Sequence, residues 1–253
     1  MQRRGTGNII NNAIAFEAEY QAVLDYASGL GYTLPTTIQN IVNNQAIIDL
    51  KAIGVWTNMD ALYRFNYGDV ALENFSLINW ASVTKDLTKT GTPIYGSSGW
   101  YTNNISNRLT PSWKFNTLAH FTQNNGYYAI RKDVFENAYC FGVNQTSRSI
   151  HSTFSVARWD TVIGDLIGDI GGTRMMASSG TLGAATVQYF DNGVSAGTDL
   201  NDETLITTNQ PYILTANGGG SFSTQPMQAL FVGGDGATAK ANAATIDTIL
   251  KSF

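Results

Sequence analysis

The spacing of apolar residues in this chain changes once, across residues 48–63. Before this stretch they recur at helical intervals, and after it they fall in short runs bounded by Gly, Asn, Ser and Thr, which is typical of β-strands. Ile48 and Leu50 fit the end of a helix, whereas Leu62 and Tyr63 fit an extended segment. The sequence therefore predicts a small helical segment that is joined here to a β-domain.

Two helices are predicted before this junction. Residues 11–31 place their apolar side chains on one helical face, and Gly29 and Gly31 are helix-stop residues. Pro35 and Thr36 then provide a turn and a cap for a second helix that runs towards Leu50. Both helices are short and rich in Asn, so we expect them to need the β-domain or a neighbouring subunit to bury their apolar faces.

The rest of the chain consists of short predicted strands without intervening helices. These strands are residues 61–65, 76–80, 113–121, 127–131, 138–143, 149–159, 161–167, 174–177, 186–190, 212–215 and 227–232. Asn192-Gly193 predicts a type I′ hairpin turn, because both positions accept positive φ. Residues 238–253 have helical spacing and predict a closing helix. This order of elements predicts a sandwich or jelly roll of two packed sheets.

The charge of the chain argues against several classes of function. The chain carries 15 Lys and Arg against 19 Asp and Glu, a net charge of −4, and lacks the basic clusters of nucleic-acid-binding proteins. No apolar run approaches the length of a membrane span, and the residues after Arg3-Arg4 are too polar for the core of a signal peptide. We therefore expect no nucleic-acid partner, no membrane insertion and no export signal.

Thiol and histidine chemistry are not predicted. Cys140 is the only cysteine and sits in an apolar run, which indicates a buried and inert thiol. His120 and His151 are the only histidines and lie far apart in sequence, so we expect no His-rich metal site.

The acidic residues do not form a recognisable catalytic or metal-binding motif. A glycoside hydrolase needs two carboxylates on one face, but Glu73, Glu136 and Glu203 are each isolated in turn-like sequence. Residues 199–203 gather carboxylate and amide oxygens that suit Ca²⁺, yet they lack the spacing of a calcium loop. We therefore predict no catalytic residues, no bound metal and no cofactor, so the chain is not expected to be an enzyme.

The order of motifs resembles the concanavalin A-like (laminin-G-like) jelly rolls of bacteriophage structural proteins. The motifs are DLKAIGVW at residues 49–56, MDALYRF at 59–65, INW at 78–80, YGSSGWY at 95–101, VQYFDNGV at 187–194 and YILTAN at 212–217. The resemblance implies a mainly β jelly-roll sandwich over residues 52–253, with a closing C-terminal helix. It also implies a helical segment over residues 1–51 that serves anchoring or assembly.

For function, the resemblance implies a virion structural protein, namely a head decoration, a fibre or a tail component. Such a protein is made in the host cytoplasm, assembles with other virion proteins and forms homo-oligomers. The alternative is a lectin-like module that recognises a cell-surface glycan during host attachment. A polysaccharide-degrading enzyme is a third and less favoured interpretation.

Four aromatic residues are the candidate ligand site of the lectin-like alternative. Trp100 and Tyr101 lie in a Gly-rich stretch, and Tyr127 and Tyr128 follow an Asn-Asn-Gly turn. Exposed rings of this kind can stack on sugars, whereas buried rings of the same types would belong to the sandwich core. The sequence leaves both interpretations open, and only the lectin-like one makes these residues a saccharide platform.

Overall fold

The computed structural model describes residues 15–83, 86–122, 124–132, 134, 140–143, 150–152, 156–159, 162–165, 172–179, 185–201, 210–215 and 222–253. The helices are α1 (Ala18–Gly29), α2 (Thr37–Ala52), α3 (Gly236–Ala241) and α4 (Ala243–Ser252). The strands are β1 (Met59–Arg64), β2 (Leu87–Thr90), β3 (Ile94–Gly96), β4 (Gly99–Tyr101), β5 (Arg108–Pro111), β6 (Asn125–Lys132), β7 (Phe141–Val143), β8 (Ile150–Ser152), β9 (Val156–Trp159), β10 (Val162–Asp165), β11 (Gly172–Ser179), β12 (Ala185–Asp191), β13 (Val194–Asn201), β14 (Tyr212–Ile213) and β15 (Met227–Gly234).

The two N-terminal helices form where the sequence predicts them. At the start of α2 the Thr36 hydroxyl accepts a hydrogen bond from the Gln39 amide, and the Gln39 side chain accepts one from the Thr36 amide, which completes a capping box. Lys51, in the last turn of α2, forms ion pairs of 2.6 Å with Glu17 and Glu19 at the start of α1. These contacts hold the two helices side by side.

All described strand pairs are antiparallel, and they form two sheets. The first sheet has the order β13-β12-β11-β6-β15-β4-β3, with β1 also paired to β15. The second sheet has the order β10-β9-β8-β7-β14-β5-β2. Successive strands change sheet repeatedly, for example from β4 to β5, from β5 to β6 and from β6 to β7. The predicted fold, a mainly β jelly-roll sandwich with helices at both ends, is therefore confirmed.

The central strands of the first sheet, β6, β11 and β15, are buried on both faces. Alternate residues of β6 separate into two apolar clusters, with Tyr128 and Ile130 in the cluster between the sheets and Tyr127 and Ala129 in the cluster under the helices. Because both faces are covered, β15 is buried along its whole length and reads as an almost continuous apolar run. The molecule therefore has three layers, which are the helices, the first sheet and the second sheet.

The helices satisfy their need for apolar contacts within the same chain. Tyr20 and Val23 of α1 and Ile47 of α2 share one buried cluster with Phe231 of β15 and Leu250 of α4. The predicted closing helix is present as two consecutive helices, α3 and α4. The division into residues 1–51 and 52–253 stays a prediction, and the shared core shows that the helical segment contributes to burying the first sheet.

Residues 113–121 do not form the predicted strand. They contain a 3₁₀-helix, Phe115–Thr117, and the segment that follows is held by a side chain instead of a neighbouring strand. The buried carboxylate of Asp60 accepts hydrogen bonds from the amides of Ala119 and Phe121, both at 2.8 Å, and from the amide of His120 at 3.2 Å. The large apolar residues of this segment are nevertheless buried, which explains why the pattern resembled a strand.

Residues 76–80 are also not a strand. A 3₁₀-helix, Phe75–Leu77, is followed by Asn79, whose side chain replaces a strand ladder. Its amide oxygen accepts a hydrogen bond from the Leu62 amide at 2.9 Å, and its nitrogen donates to the Asp60 carbonyl at 3.1 Å.

Strands β7 to β10 lie within the predicted strands at 138–143, 149–159 and 161–167. Most of the other residues of these ranges lie outside the described residues.

The predicted hairpin is present between β12 and β13. Asp191 pairs with Val194, and the two turn residues, Asn192 and Gly193, have φ values of 50° and 77°. Both values are positive, as a type I′ turn requires. This turn also contacts the helical layer, because a Cβ on Gly193 would lie 2.6 Å from the Cα of Ala244 in α4.

Candidate functional site

Three of the four predicted platform residues are in the interior, so the prediction that they form an exposed sugar-stacking surface is wrong. Trp100, Tyr127 and Tyr128 are each 0% exposed. Trp100 packs against Tyr95, with ring centroids 5.0 Å apart, and its indole nitrogen donates to the Ser76 hydroxyl at 2.8 Å. A ring enclosed in this way cannot stack on a ligand.

The two adjacent tyrosines are buried on opposite faces of β6. Tyr128 faces the space between the sheets and donates from its hydroxyl to the Met176 sulfur at 2.7 Å. Tyr127 faces the helices, and burial raises the pKa of its hydroxyl well above the ordinary value. Tyr101 is half-buried and, by strand alternation, lies on the opposite face of β4 from Trp100. It stays a candidate contact residue.

The outer face of the second sheet is partly exposed around the adjacent strands β2, β5 and β14. Leu87, Leu109 and Ile213 point into the cluster between the sheets, so their strand neighbours point away from it. We define the open face by these outward residues, which are Thr88, Thr90, Arg108, Thr110 and Tyr212. Thr88 is exposed and the other four are half-buried.

The open face is an ordered patch of hydroxyl groups beside an aromatic ring and a cation. Thr88 lies opposite Thr110, and Thr90 lies opposite Arg108, in the β2–β5 register. The Thr90 and Thr110 hydroxyls are 3.0 Å apart, and the Thr88 hydroxyl donates to the Thr110 carbonyl at 3.1 Å. The Arg108 guanidinium lies over the Tyr212 ring, 4.0 Å from its centroid. Such a shallow, mixed surface provides both apolar and hydrogen-bonding contacts.

The sequence interpretation missed Arg108 and Tyr212. Tyr212 belongs to a predicted strand, and the alternation Arg108-Leu109-Thr110 is the signal of a half-buried strand. The pairing of β5 with β14 brings the two residues together although they are far apart in the chain. No local pattern shows this pairing.

A shallow pocket lies between α1 and the segment after β1. It has a volume of about 240 Å³ and is lined by Glu19, Ala22, Trp80, Ala81, Ser82 and Val83. Glu19 is already paired with Lys51, and this hydrogen bond lowers the pKa of its carboxyl group. Trp80 is 2% exposed, so little of its ring can reach a ligand. The pocket is therefore a weaker candidate than the open face.

A buried polar cluster surrounds Arg64 under the helical layer. Its guanidinium donates to Asn43 Oδ1 and to the main-chain oxygens of Asn66 and Phe253, and it lies over the rings of Tyr67 and Phe253. Burial lowers the pKa of this guanidinium. With Arg64 only 5% exposed, the cluster joins parts of the fold and is closed to ligands.

An apolar stripe is exposed on α2. Ile38, Ile41 and Ile48 are 76%, 45% and 36% exposed, respectively. With Gln45 they have the 3-4-3 spacing of one helical face, opposite to the face that buries Ile47 and Leu50. We call these three isoleucines the isoleucine stripe.

Neither a metal-binding cluster nor a membrane span is present within the described ranges. There, no group of three or more His, Cys, Asp or Glu side chains is arranged to hold a metal ion. Nor is any described helix long and apolar enough to cross a membrane. Cys140 is buried, as the sequence predicts. The side chains of residues 199–203, whose carboxylate and amide oxygens would suit Ca²⁺, lie outside the described part.

No family model matches this chain, and no curated protein matches it in sequence. Among solved structures it is similar to the binding domain of Paraclostridial Mosquitocidal Protein 1, at 9% identity and a TM-score of 0.47, over 76% of this chain and 53% of that one. It is similar to domain 4 of AbnA, a GH43 extracellular arabinanase from Geobacillus stearothermophilus, in complex with arabinotriose, at 14% identity and a TM-score of 0.45, over 74% and 98% of the two chains.

A third similar structure is the receptor-binding domain of botulinum neurotoxin type G, at 9% identity and a TM-score of 0.43, over 75% of this chain and 51% of that one. This chain thus spans about half the length of the two toxin chains.

Proposed function

We propose that this protein is a glycan-binding module and that the open face of the second sheet is its binding surface. The observation that supports this proposal is the placement of Tyr212 and Arg108 in contact, half-exposed, beside the Thr90 and Thr110 hydroxyls. A sugar presents an apolar ring face and a rim of hydroxyl groups, so it is recognised by an aromatic surface with a few fixed polar groups.

The proposed activity is binding without catalysis. No acid and base pair stands on the open face, since its five residues are three threonines, an arginine and a tyrosine. Glycoside hydrolysis in its usual form requires two carboxyl groups on either side of the scissile bond. We propose accordingly that a bound glycan is released unchanged.

A panel of immobilised neutral and acidic glycans, probed with the full chain, tests this proposal. We expect binding to at least one glycan, and we expect Tyr212→Leu to weaken it by about tenfold, a factor typical of losing one aromatic contact. Tyr101→Leu is the matched control, because Tyr101 is a half-buried tyrosine on the other sheet. Thermal unfolding of both variants should remain close to that of the wild type.

Three results would contradict the proposal. Absence of binding across the panel would remove the glycan-binding function. Loss of binding in Tyr101→Leu, with full binding in Tyr212→Leu, would place the site on the first sheet instead. A change in unfolding temperature that matches the loss of binding would show that Tyr212 acts through the fold.

A second candidate function is a self-associating subunit, as the virion role of the resemblance requires. We propose that its contact surface is the isoleucine stripe of α2 and that the occupant is a second copy of the same helix. The 3-4-3 spacing is self-complementary, and two-fold symmetric pairing is the commonest form of homo-oligomer. Partners among other virion proteins remain part of this second proposal.

Light scattering at micromolar concentration tests the second candidate. We expect the wild type to be dimeric or larger and the double variant Ile38→Glu/Ile41→Glu to be monomeric with unchanged helical content, since both side chains are exposed. Gln45→Glu on the same face is a milder control. A monomeric wild type would overturn the proposal.

A further inference from the structure

The Arg108 side chain is stacked on an aromatic ring. Its guanidinium carbon lies 4.0 Å from the centroid of the Tyr212 ring, and its Nε is buried and makes no hydrogen bond with the described residues. An arginine that is stacked on an aromatic ring has fewer rotamers to lose when it binds a ligand. The guanidinium is thus prepared to receive an acceptor.

Within the described ranges, Arg108 forms no ion pair with an acidic side chain. Three lysines of this part of the chain do have such partners: Lys51 pairs with Glu17 and Glu19, Lys89 with Glu73, and Lys251 with Asp247. The chain as a whole is acidic, with a net charge of −4. The described residues therefore offer the half-exposed Arg108 no acidic partner, and a ligand can supply one.

The groups around Arg108 suit a sugar that carries an acid. A guanidinium presents N–H groups in a planar fork that matches the two oxygens of a carboxylate. Thr90 lies directly opposite Arg108 across the β2–β5 pair, and its hydroxyl is 3.0 Å from that of Thr110. Hydroxyl groups can both donate to and accept from the hydroxyls of a sugar.

We infer that the ligand of the open face is a glycan bearing a carboxylate, held by Arg108, with its sugar ring beside Tyr212, Thr90 and Thr110. This inference rests on the proposed glycan-binding function and adds the chemical class of the glycan. Uronic acids and sialic acids share the required carboxylate. The ligand thereby supplies the negative charge that the described residues around Arg108 do not.

The experiment compares acidic glycans with neutral counterparts on two unrelated scaffolds. Trigalacturonate is paired with galactotriose, and sialyllactose is paired with lactose, in calorimetric titrations of the full chain. We expect at least one acidic glycan to bind about tenfold or more tightly than its neutral counterpart, a factor within the range of charge-assisted hydrogen bonds. The preference should decrease as NaCl is added, because salt screens the pair.

Three variants test the role of Arg108. Arg108→Gln should remove the preference for the acid and leave the weaker neutral binding, whereas Arg108→Lys should retain part of it, because lysine keeps the charge but lacks the fork. Lys251→Gln is the matched control, since it makes the same change in net charge on α4. It should leave the preference unchanged.

The outcomes separate the two proposals. Equal binding of acidic and neutral glycans by the wild type would overturn the inference about the carboxylate and leave the glycan-binding function standing. Equal effects of Arg108→Gln and Lys251→Gln would overturn the assignment to Arg108, since they would indicate a general effect of charge. Absence of binding to all four probes and to the wider glycan panel would contradict both proposals.

Discussion

Arg64 of β1 donates a hydrogen bond of 2.8 Å from its guanidinium to the main-chain oxygen of Phe253, 189 residues further along the chain. The same guanidinium donates to the side chain of Asn43 in α2. One buried side chain thus connects the first sheet, an N-terminal helix and the end of the C-terminal helix. The helical layer is therefore fixed to the sheet by directed polar contacts in addition to apolar packing.

We expect Arg64→Ala to destabilise the protein by about 2–4 kcal/mol, because buried acceptors lose their donor and a large side chain leaves a void. The variant removes the hydrogen bonds to Asn43, Asn66 and Phe253. Urea unfolding measures the loss, and hydrogen exchange should show faster exchange in α4. Arg64→Lys should retain part of the stability. If the urea midpoint of Arg64→Ala equalled that of the wild type, these contacts would contribute nothing to stability.

Asp60 is expected to stabilise the segment before β6. Its carboxylate is the acceptor for the amides of Ala119, His120 and Phe121, and it is 3% exposed. Asp60→Ala should lower the free energy of unfolding by about 3 kcal/mol, since hydrogen bonds to a charged acceptor are worth more than neutral ones. Asp60→Asn should have a smaller effect because one acceptor oxygen remains. Equal stability of all three proteins in urea would contradict this role.

A pair of glycine variants can separate backbone strain from steric overlap. Gly31 and Gly193 have φ values of 71° and 77°, but a Cβ on Gly31 meets nothing within 4 Å, whereas one on Gly193 lies 2.6 Å from the Cα of Ala244. Gly31→Ala should cost about 1–2 kcal/mol, the price of left-handed backbone alone. Gly193→Ala should cost clearly more in the same unfolding experiment. Equal losses of stability in the two variants would show that the β12–β13 turn can move away from α4 without cost.

The ion pairs between α1 and α2 predict a dependence of stability on pH. The hydrogen bond from Lys51 lowers the pKa of the Glu19 carboxyl below its ordinary value in the folded state. A lowered pKa means that the stabilisation is present above the unfolded-state pKa and is lost as the pH falls through the folded-state pKa. The wild type should therefore lose more stability than Glu19→Gln between about pH 5 and pH 3, around the ordinary pKa of glutamate. Parallel curves of unfolding temperature against pH would contradict this role of Glu19.

The elements that are held together by local interactions were predictable from the sequence. The Thr36 cap and helical spacing located α2, and Asn192-Gly193 located the β12–β13 turn. Strand alternation was a poorer guide to residues 113–121, where a distant carboxylate, that of Asp60, replaces the strand ladder. Apolar spacing reports burial, and it does not report which group satisfies the backbone.

The sequence by itself determined the two kinds of structure in this protein and the place where one gives way to the other, because these depend on side-chain periods of neighbouring residues. Only the tertiary structure decided which aromatic rings are accessible. Tyr127 and Tyr128 are both buried because the helices cover one face of the first sheet and the second sheet covers the other. The pairing of β14 with β5 likewise placed Tyr212 against Arg108, and such long-range pairing leaves no local pattern in the chain.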